Sequence, residues 1–156
     1  MVQVRDIAAQ EIPLLDDFLY ESIFVPEGQE PFPRSILNKP EFCAYVEDFG
    51  KRAGDIGVVA EVDGEIAGAA WARLIHSYGF LYEGVPEIAI ALWPQWRGQG
   101  VGTQLLGGLI ERLREAGFPA VSLSAQRANR AIHLYQRLGF VEKGGDEEEA
   151  LMLLRL

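Results

Sequence analysis

Glycines alternate with other residues in a short segment that joins a predicted strand to the longest predicted helix. The segment reads Arg97-Gly98-Gln99-Gly100-Val101-Gly102-Thr103. Because glycine has no Cβ, backbone amides in such a segment can approach a ligand closely. The start of the following helix adds unpaired N–H groups and a partial positive charge, and Arg97 adds a full one. These properties together favour binding of an anion such as a diphosphate.

Other glycine-rich phosphate-binding motifs do not fit this segment. A P-loop requires GxxxxGK followed by Ser or Thr, and the chain has no lysine between residues 52 and 142. A dinucleotide fingerprint requires Gly or Ala where Thr103 stands, and an acidic residue about 20 positions later, where residues 121–124 offer none. One structural alternative stays open, in which the glycines only form a tight turn from strand to helix.

Apolar periodicity and turn residues predict the elements that must position this segment. Apolar runs predict seven strands, at residues 2–7, 56–62, 66–74, 87–92, 121–124, 140–143 and 150–155. The dipeptide Asp63-Gly64 predicts a tight hairpin between the second and third strands. Apolar residues at helical spacing predict four helices, at residues 12–23, 40–49, 100–116 and 129–138. We therefore expect an α/β sandwich with a mixed sheet.

Length and composition restrict the class of protein. The chain has 156 residues, 49% of them apolar and 24% charged, so we expect a single domain over residues 1–156. A single cysteine, Cys43, excludes a disulfide framework and a cysteine-based zinc site. The two histidines, His76 and His133, lack metal-ligand spacing, so we expect no metal. Because the sequence has no signal-like start and no membrane-spanning apolar run, we expect a cytoplasmic protein with no membrane partner.

Charge is distributed unevenly along the chain. The formal net charge of −9 argues against nucleic-acid binding, which requires a positive face. Residues 1–96 contain 6 basic and 16 acidic side chains, whereas residues 97–156 contain 8 and 7. The first part therefore favours a cationic or neutral small molecule, and the second part tolerates an anionic one. The alternative is that the acidic excess serves solubility alone.

A second motif lies downstream of the glycine segment. It reads Asn129-Arg130-Ala131-Ile132-His133-Leu134-Tyr135-Gln136-Arg137-Leu138-Gly139-Phe140. This run resembles the closing Asn…Ala-x-x-Leu-Tyr-x-x-Leu-Gly-Phe segment of the GNAT acyltransferases, and the glycine segment resembles their Arg/Gln-x-x-Gly-x-Gly/Ala loop. The order of predicted elements agrees over essentially the whole chain. The resemblance implies a mixed, mostly antiparallel sheet of six or seven strands with about four helices, in which two central parallel strands splay apart.

The resemblance also implies an acyl-CoA donor, most often acetyl-CoA. The amides that would hold its pyrophosphate, beside the Arg97 side chain, belong to Gly98, Gln99, Gly100, Val101, Gly102 and Thr103. The splayed strand edge would hydrogen-bond the two amides of pantetheine at Ile90, Ala91 and Leu92. Asn129 stands six residues before Tyr135, one fewer than in much of the superfamily. A coenzyme contact and a helix N-cap therefore both stay open for Asn129.

Two residues take catalytic roles from the same resemblance. Tyr135 would protonate the thiolate that leaves, because a phenol with a reference pKa of about 10 can act as a general acid. Its alternative role is core packing. Glu87 would accept the proton of the amine, directly or through water, and its alternative is a solvated strand end. Solvent could also take this proton, with catalysis resting on positioning.

The implied reaction is direct transfer of an acetyl group from acetyl-CoA to a primary amine of a small molecule or peptide. Residues 24–32 and 77–85 are expected to face this acceptor. Their aromatic and acidic side chains suit an amine with an apolar body, and they are Phe24, Glu27, Glu30, Tyr78, Phe80, Tyr82 and Glu83. Two alternatives stay open: a non-catalytic acyl-CoA-binding sensor or regulatory module, and a nucleotide-dependent oxidoreductase. The oligomeric state also stays open, with a homodimer as one option.

Overall fold

Seven strands form one sheet in the computed structural model, which describes residues 1–156. In chain order the strands are β1 (Val2–Asp6), β2 (Ile56–Val62), β3 (Glu65–Arg73), β4 (Glu87–Leu92), β5 (Ala120–Gln126), β6 (Val141–Gly145) and β7 (Glu149–Arg155). The spatial order is β1-β2-β3-β4-β5-β7-β6. Every neighbouring pair is antiparallel except β4 and β5, which are parallel. The mixed, mostly antiparallel sheet predicted from the sequence is confirmed.

Four α-helices flank the sheet. They are α1 (Leu14–Ser22), α2 (Pro40–Cys43), α3 (Val101–Glu115) and α4 (Ala131–Arg137). Gly100 precedes α3 with a φ of 84°, and Gly117 follows it with a φ of 88°, so glycine marks both ends of this helix as its sequence predicts. None of the helices has both the length and the apolar character that a bilayer crossing requires.

Helix α2 is shorter than its sequence pattern predicts. The pattern predicts a helix over residues 40–49, whereas the α-helix covers only the first four of these residues and turns follow. The buried guanidinium of Arg73 explains the difference, because it donates hydrogen bonds to the carbonyls of Ala44 at 3.1 Å and Glu47 at 2.6 Å. Its Nε pairs with Asp55 at 2.9 Å. Carbonyls satisfied by a side chain no longer need helical partners, so the turns replace the helix.

Two apolar clusters pack on the two faces of the sheet. Helix α3 covers one face with the buried side chains of Val101, Leu105, Leu106, Leu109, Ile110 and Leu113. Helix α1 covers the other face, where Phe18 packs with buried Trp71. Burial of one such side chain contributes about 1.5–3 kcal/mol. The start of α3, which carries the glycine segment, is therefore anchored to a rigid sheet.

Strands β4 and β5 separate almost at once. Glu87 and Ser122 form the one register pair between them, whereas β3 and β4 pair along all six residues of β4. The edge of β4 at residues 88–92 therefore faces a gap rather than a neighbouring strand. The predicted splay between two central parallel strands is confirmed. Unpaired backbone groups along such a gap are available to a ligand.

Candidate functional site

Two adjoining cavities occupy the gap between β4 and β5. The large cavity, of about 1080 Å³, runs between the glycine segment and α4. The small cavity, of about 370 Å³, lies between the two strands and helices α1 and α2. Seven residues line both cavities and form a shared wall: Ser22, Ile23, Phe24, Phe32, Ile90, Asn129 and Tyr135. A molecule in the large cavity can therefore contact a molecule in the small one.

The glycine segment forms one end of the large cavity. Gly98 and Gly100 have φ values of 74° and 84°, and nothing in the protein lies within 4 Å of where their Cβ atoms would be. No side chain caps the start of α3. The first amides of that helix therefore have neither helical nor side-chain partners, and they face an open space that suits an anion.

The individual residues of the glycine segment divide into two groups. Those predicted from the sequence that line the large cavity are Arg97, Gly98, Gly100, Gly102 and Thr103. Gln99 does not line it, and its side-chain amide donates to the carbonyl of Gln95 at 2.8 Å. The Val101 side chain is buried in the core under α3. Gln99 and Val101 therefore offer only backbone groups to a ligand.

Three arginines and one histidine line the large cavity. Arg97 comes from the glycine segment and pairs with Glu21 at 3.0 Å. Arg130, His133 and Arg137 come from the start and one face of α4. These three residues have no binding role among the sequence predictions, although their spacing of three and then four positions indicates one helical face. The large cavity is thus positive in a chain whose net charge is −9.

The edge of β4 forms a second side of the large cavity. Ile90, Ala91 and Leu92 all line it, as the sequence predicts, and Ile90 also lines the small cavity. An extended ligand with its own amides can add to this edge as a strand would. The edge therefore joins the glycine segment to the shared wall.

Tyr135 projects from α4 into the core and onto the shared wall. The residue is 8% exposed, and its ring packs edge-on against Phe140 with centroids 6.0 Å apart. Its hydroxyl has no hydrogen-bond partner within the protein. Burial raises the pKa of Tyr135 to about 12, so the phenol stays protonated at neutral pH. Tyr135 therefore combines a packing role with a free donor at the junction of the cavities.

Asn129 also lies on the shared wall. Its Oδ1 accepts a hydrogen bond from the amide of Ala131 at 2.9 Å, at the start of α4. This is the geometry of a capping side chain, which satisfies one of the free amides of a helix N-terminus. The side-chain NH₂ group keeps its donors, so capping leaves Asn129 able to contact a ligand.

Glu87 lies behind the small cavity and lines neither cavity. It is 1% exposed, so its interpretation as a solvated strand end is wrong. Its Oε1 accepts hydrogen bonds from the Tyr45 hydroxyl at 2.7 Å and the Gly79 amide at 2.8 Å, and its Oε2 accepts one from the Ser77 amide at 2.7 Å. Burial raises the pKa of Glu87 above its ordinary value, and these hydrogen bonds oppose the rise.

Tyr45 lines the small cavity and lies between that cavity and Glu87. Its carbonyl accepts a hydrogen bond from the Trp71 indole at 2.9 Å, and Arg73 holds the turn that contains it. Burial, and then the charge of Glu87, raise the pKa of Tyr45 far above its ordinary value. Tyr45 has no role predicted from the sequence, because nothing local marks a contact across 42 residues.

The small cavity has aromatic walls. Its rings belong to Phe24, Phe32, Phe42, Tyr45, Tyr78 and Tyr135. Phe24 and Tyr78 are two of the residues expected to face the acceptor. The structure places the other five outside the lining of both cavities: Glu27, Glu30, Phe80, Tyr82 and Glu83. Phe80 stacks on His76, and Glu83 pairs with the same histidine at 2.7 Å. Phe80 and Glu83 therefore contact His76 rather than either cavity.

One carboxylate lines the small cavity instead. Glu149 is the first residue of β7, and its Oε1 accepts a hydrogen bond from the Ser124 hydroxyl on β5. No group of three or more His, Cys, Asp or Glu side chains is arranged to hold a metal ion. The chemistry that the two cavities offer is therefore anion binding in the large one and charge pairing beside aromatic rings in the small one.

Comparison with protein families matches residues 17–140 to the Acetyltransferase (GNAT) family. L-methionine sulfoximine/L-methionine sulfone acetyltransferase of Pseudomonas aeruginosa is 32% identical over 65% of this chain and 59% of its own length. Mycothiol acetyltransferase of Thermobifida fusca is 36% identical over 49% of this chain and 25% of its own length. The chain thus spans less than two thirds of each of these relatives.

A solved structure with the same fold was determined with a coenzyme. The PaiA N-acetyltransferase of Thermoplasma acidophilum, in complex with coenzyme A, superposes with a TM-score of 0.72 at 16% identity. The match covers 100% of this chain and 99% of that one. At this level of identity the likeness shows a shared fold.

Proposed function

Because this chain belongs to the acetyltransferase (GNAT) family, we propose that it transfers an acetyl group from acetyl-CoA to a primary amine of a small molecule or peptide. The transfer is direct, within a ternary complex. The observation that carries this proposal is the shared wall, where a cavity with cationic walls meets a cavity with aromatic and acidic walls. Donor and acceptor held on either side need no acyl-enzyme to exchange the acetyl group.

The residues of the large cavity fit coenzyme A. The free amides from Gly98 to Thr103 suit a pyrophosphate, and the arginines at 97, 130 and 137 suit phosphate oxygens. The edge of β4 at residues 90–92 suits the two amides of pantetheine. When bound, acetyl-CoA supplies the carbonyl that an amine attacks and the sulfur that leaves. Asn129 and Tyr135 stand where the edge of β4 reaches the shared wall.

Tyr135 serves the leaving sulfur. Its free hydroxyl donates a hydrogen bond there as negative charge develops, and burial keeps the phenol protonated for that purpose. An ordinary thiol has a pKa of about 8.5, so a phenol with a pKa of about 12 transfers its proton fully only where burial raises the pKa of the thiol as well. The apolar surroundings of the shared wall supply that burial.

Glu87 accepts the proton of the amine through Tyr45. An alkylammonium ion has no lone pair, so one N–H bond of the acceptor must break before attack, and a second must break as the amide forms. The second proton replaces the one that Tyr135 gives to the sulfur, and the first proton goes to Glu87. The Tyr45 oxygen gains this proton while its own proton moves across the 2.7 Å hydrogen bond to Oε1 of Glu87. The phenol is neutral before and after the step, and the carboxylate ends protonated. This path explains how a base that lines neither cavity can still serve the small one.

Replacing Glu87 with glutamine is expected to remove the acid limb from the pH profile of kcat/KM. Wild-type Glu87 is protonated below its raised pKa and cannot accept a proton there, so the wild-type rate falls as the pH drops through that value. Glutamine does not titrate. We expect kcat to fall about tenfold, because solvent can take the proton more slowly. Initial rates of CoA release between pH 5 and 9 measure both effects.

Two further variants make the test of Glu87 specific. Tyr45→Phe leaves the carboxylate in place but breaks the path, so it is expected to remove the same acid limb. Glu115→Gln changes an exposed carboxylate at the end of α3 that lines neither cavity, and its pH profile should match the wild type. An unchanged acid limb in both Glu87→Gln and Tyr45→Phe would remove Glu87 from the reaction.

Calorimetric titration with acetyl-CoA, followed by detection of free CoA thiol with a set of primary amines, tests the proposed function. We expect binding at one site and thiol release that depends on the amine. Binding without release by any amine would instead assign the chain to a non-catalytic acyl-CoA-binding module. Stabilisation by NAD(P) but not by acetyl-CoA in a thermal unfolding assay would favour an oxidoreductase and overturn the proposal.

A further inference from the structure

The small cavity selects for an apolar body. Its volume is about 370 Å³, and 14 of its 20 wall residues are hydrophobic. The strands contribute Ile88, Ile90 and Leu123, while the aromatic rings come from the segments opposite the strands. Polar ligand atoms that lie against these hydrophobic side chains lose water without gaining partners, which costs free energy, whereas apolar atoms gain from burial. Polar partners are confined to the remaining wall residues, Ser22, Lys39, Ser124, Gln126, Asn129 and Glu149. A polyamine or a small amino alcohol therefore fits these walls poorly.

Negative charge is concentrated on one side of this cavity. Glu149 lines it, and the Ser124 hydroxyl engages only one of its two carboxylate oxygens. Glu41 lies close by: burial, and then the charges of Glu41 and Glu149, raise the pKa of the Tyr78 hydroxyl. The free oxygen of Glu149 and the aromatic faces beside it suit an ammonium group, through charge pairing and cation–π contacts.

The walls of the small cavity offer few cationic groups that could pair with a carboxylate on the acceptor. Lys39 is the one basic side chain that lines the small cavity, and it is exposed to solvent. An exposed ion pair contributes little. A ligand carboxylate would also lie near Glu149, and like charges in proximity cost free energy. The cationic side chains of the site line the large cavity instead.

We infer that the acceptor is a primary amine on an apolar or aromatic body with no carboxylate beside the amine, and that it docks in the small cavity with its ammonium group paired to Glu149. This inference rests on the proposed function, because it names the class of acceptor for that reaction. Glu149, Tyr45 and the shared wall all line the small cavity, so an amine paired to Glu149 lies in the same cavity as the proposed proton path. Glu149 is a positioning residue in this assignment.

Three amines of matched size or charge test the inference by their kcat/KM in CoA release. Phenethylamine has an aromatic body and no carboxylate, phenylalanine adds a carboxylate to the same body, and putrescine has no apolar body. We expect phenethylamine to exceed phenylalanine by at least about tenfold, because the carboxylate is repelled. We also expect phenethylamine to exceed putrescine. Equal or better use of phenylalanine or putrescine would overturn the inference and leave the proposed function intact.

A pair of variants tests the role of Glu149. Glu149→Gln is expected to raise the KM for phenethylamine about tenfold through loss of a charge-assisted contact, while kcat and the Kd for acetyl-CoA change little. It should also narrow the preference for phenethylamine over phenylalanine. Glu147→Gln removes a neighbouring exposed charge that lines neither cavity, and its KM should match the wild type. A wild-type KM in Glu149→Gln would overturn the pairing.

Direct binding separates failure of the inference from failure of the proposed function. Phenethylamine is titrated calorimetrically into the protein saturated with CoA, where no transfer occurs. Weaker binding to Glu149→Gln than to the wild type supports the acceptor site even if no amine promotes CoA release. Equal binding of phenethylamine and phenylalanine to the wild type contradicts the inference, whatever the turnover assay shows.

Discussion

Replacing Gly100 with aspartate is expected to raise the Kd for acetyl-CoA about a hundredfold, which corresponds to about 2.7 kcal/mol. Gly100 has a φ of 84° and directly precedes the first residue of α3. The free amides at this helix start face the large cavity. Nothing in the protein lies within 4 Å of the added Cβ, so the aspartate carboxylate can occupy the space that suits the pyrophosphate. Like charges at this distance repel strongly. Calorimetric titration with acetyl-CoA measures the change.

The control for Gly100→Asp must introduce the same backbone strain at a position outside the large cavity. Gly117 provides it, because its φ is 88° and open space surrounds its Cβ position at the far end of α3. A non-glycine residue at such a φ costs about 1–3 kcal/mol of stability in either variant. Gly117→Asp should therefore unfold at a lower temperature but bind acetyl-CoA like the wild type. Wild-type affinity in Gly100→Asp would remove the glycine segment from the coenzyme site.

The glycine segment could be predicted because its function is local. Its residues are consecutive, the end of a strand and the start of a helix flank it, and only glycine adopts the positive φ of residues 98 and 100 without strain. The sequence could not tell which of the intervening side chains line the cavity. Val101 points into the core because it belongs to the apolar face of α3, and Gln99 folds back onto Gln95.

The proposed base, Glu87, and its surroundings could be predicted only in part. Glu87 was singled out through the resemblance to the GNAT acyltransferases, from its place at the start of a strand, but its burial depends on segments far away in the chain. Tyr45 reaches it only because Arg73 and Trp71 hold the turns after α2 in place. Side-chain hydrogen bonds to backbone carbonyls leave no periodic signal, so the sequence pattern predicts a longer helix there and gives Tyr45 no role.

The residues that line the small cavity also differ in how far they could be predicted from the local sequence. The aromatic residues Phe24 and Tyr78 were predicted because their loops flank the expected site. Glu149 follows an acidic turn, where a run of like charges favours solvent exposure. Its place in the cavity comes from the pairing of β7 with β5, which sets Glu149 opposite Gln126 and near Ser124. Register between strands that are distant in sequence is set by the whole sheet.

Replacing Tyr135 with phenylalanine is expected to lower kcat about a hundredfold, at the lower end of what general acid catalysis contributes. The ring stays, so packing against Phe140 and the fold are retained. No hydrogen bond within the protein is lost, so the free energy of unfolding should change little. The Kd for acetyl-CoA should also stay within about twofold, because the hydroxyl serves the sulfur mainly as its charge develops. Steady-state rates of CoA release at saturating acetyl-CoA and amine measure kcat, and single-turnover rates isolate the chemical step.

The pH dependence distinguishes Tyr135 from the proton path through Tyr45. Burial raises the pKa of Tyr135 to about 12, so the phenol keeps its proton throughout an assay between pH 6 and 10. Tyr135→Phe should therefore lower kcat by the same factor at every pH in that range and leave the acid limb assigned to Glu87 in place. Tyr82→Phe, at an exposed position outside both cavities, serves as the control and should keep the wild-type kcat. An unchanged kcat in Tyr135→Phe would leave the hydroxyl without a role in transfer and Tyr135 as a packing residue.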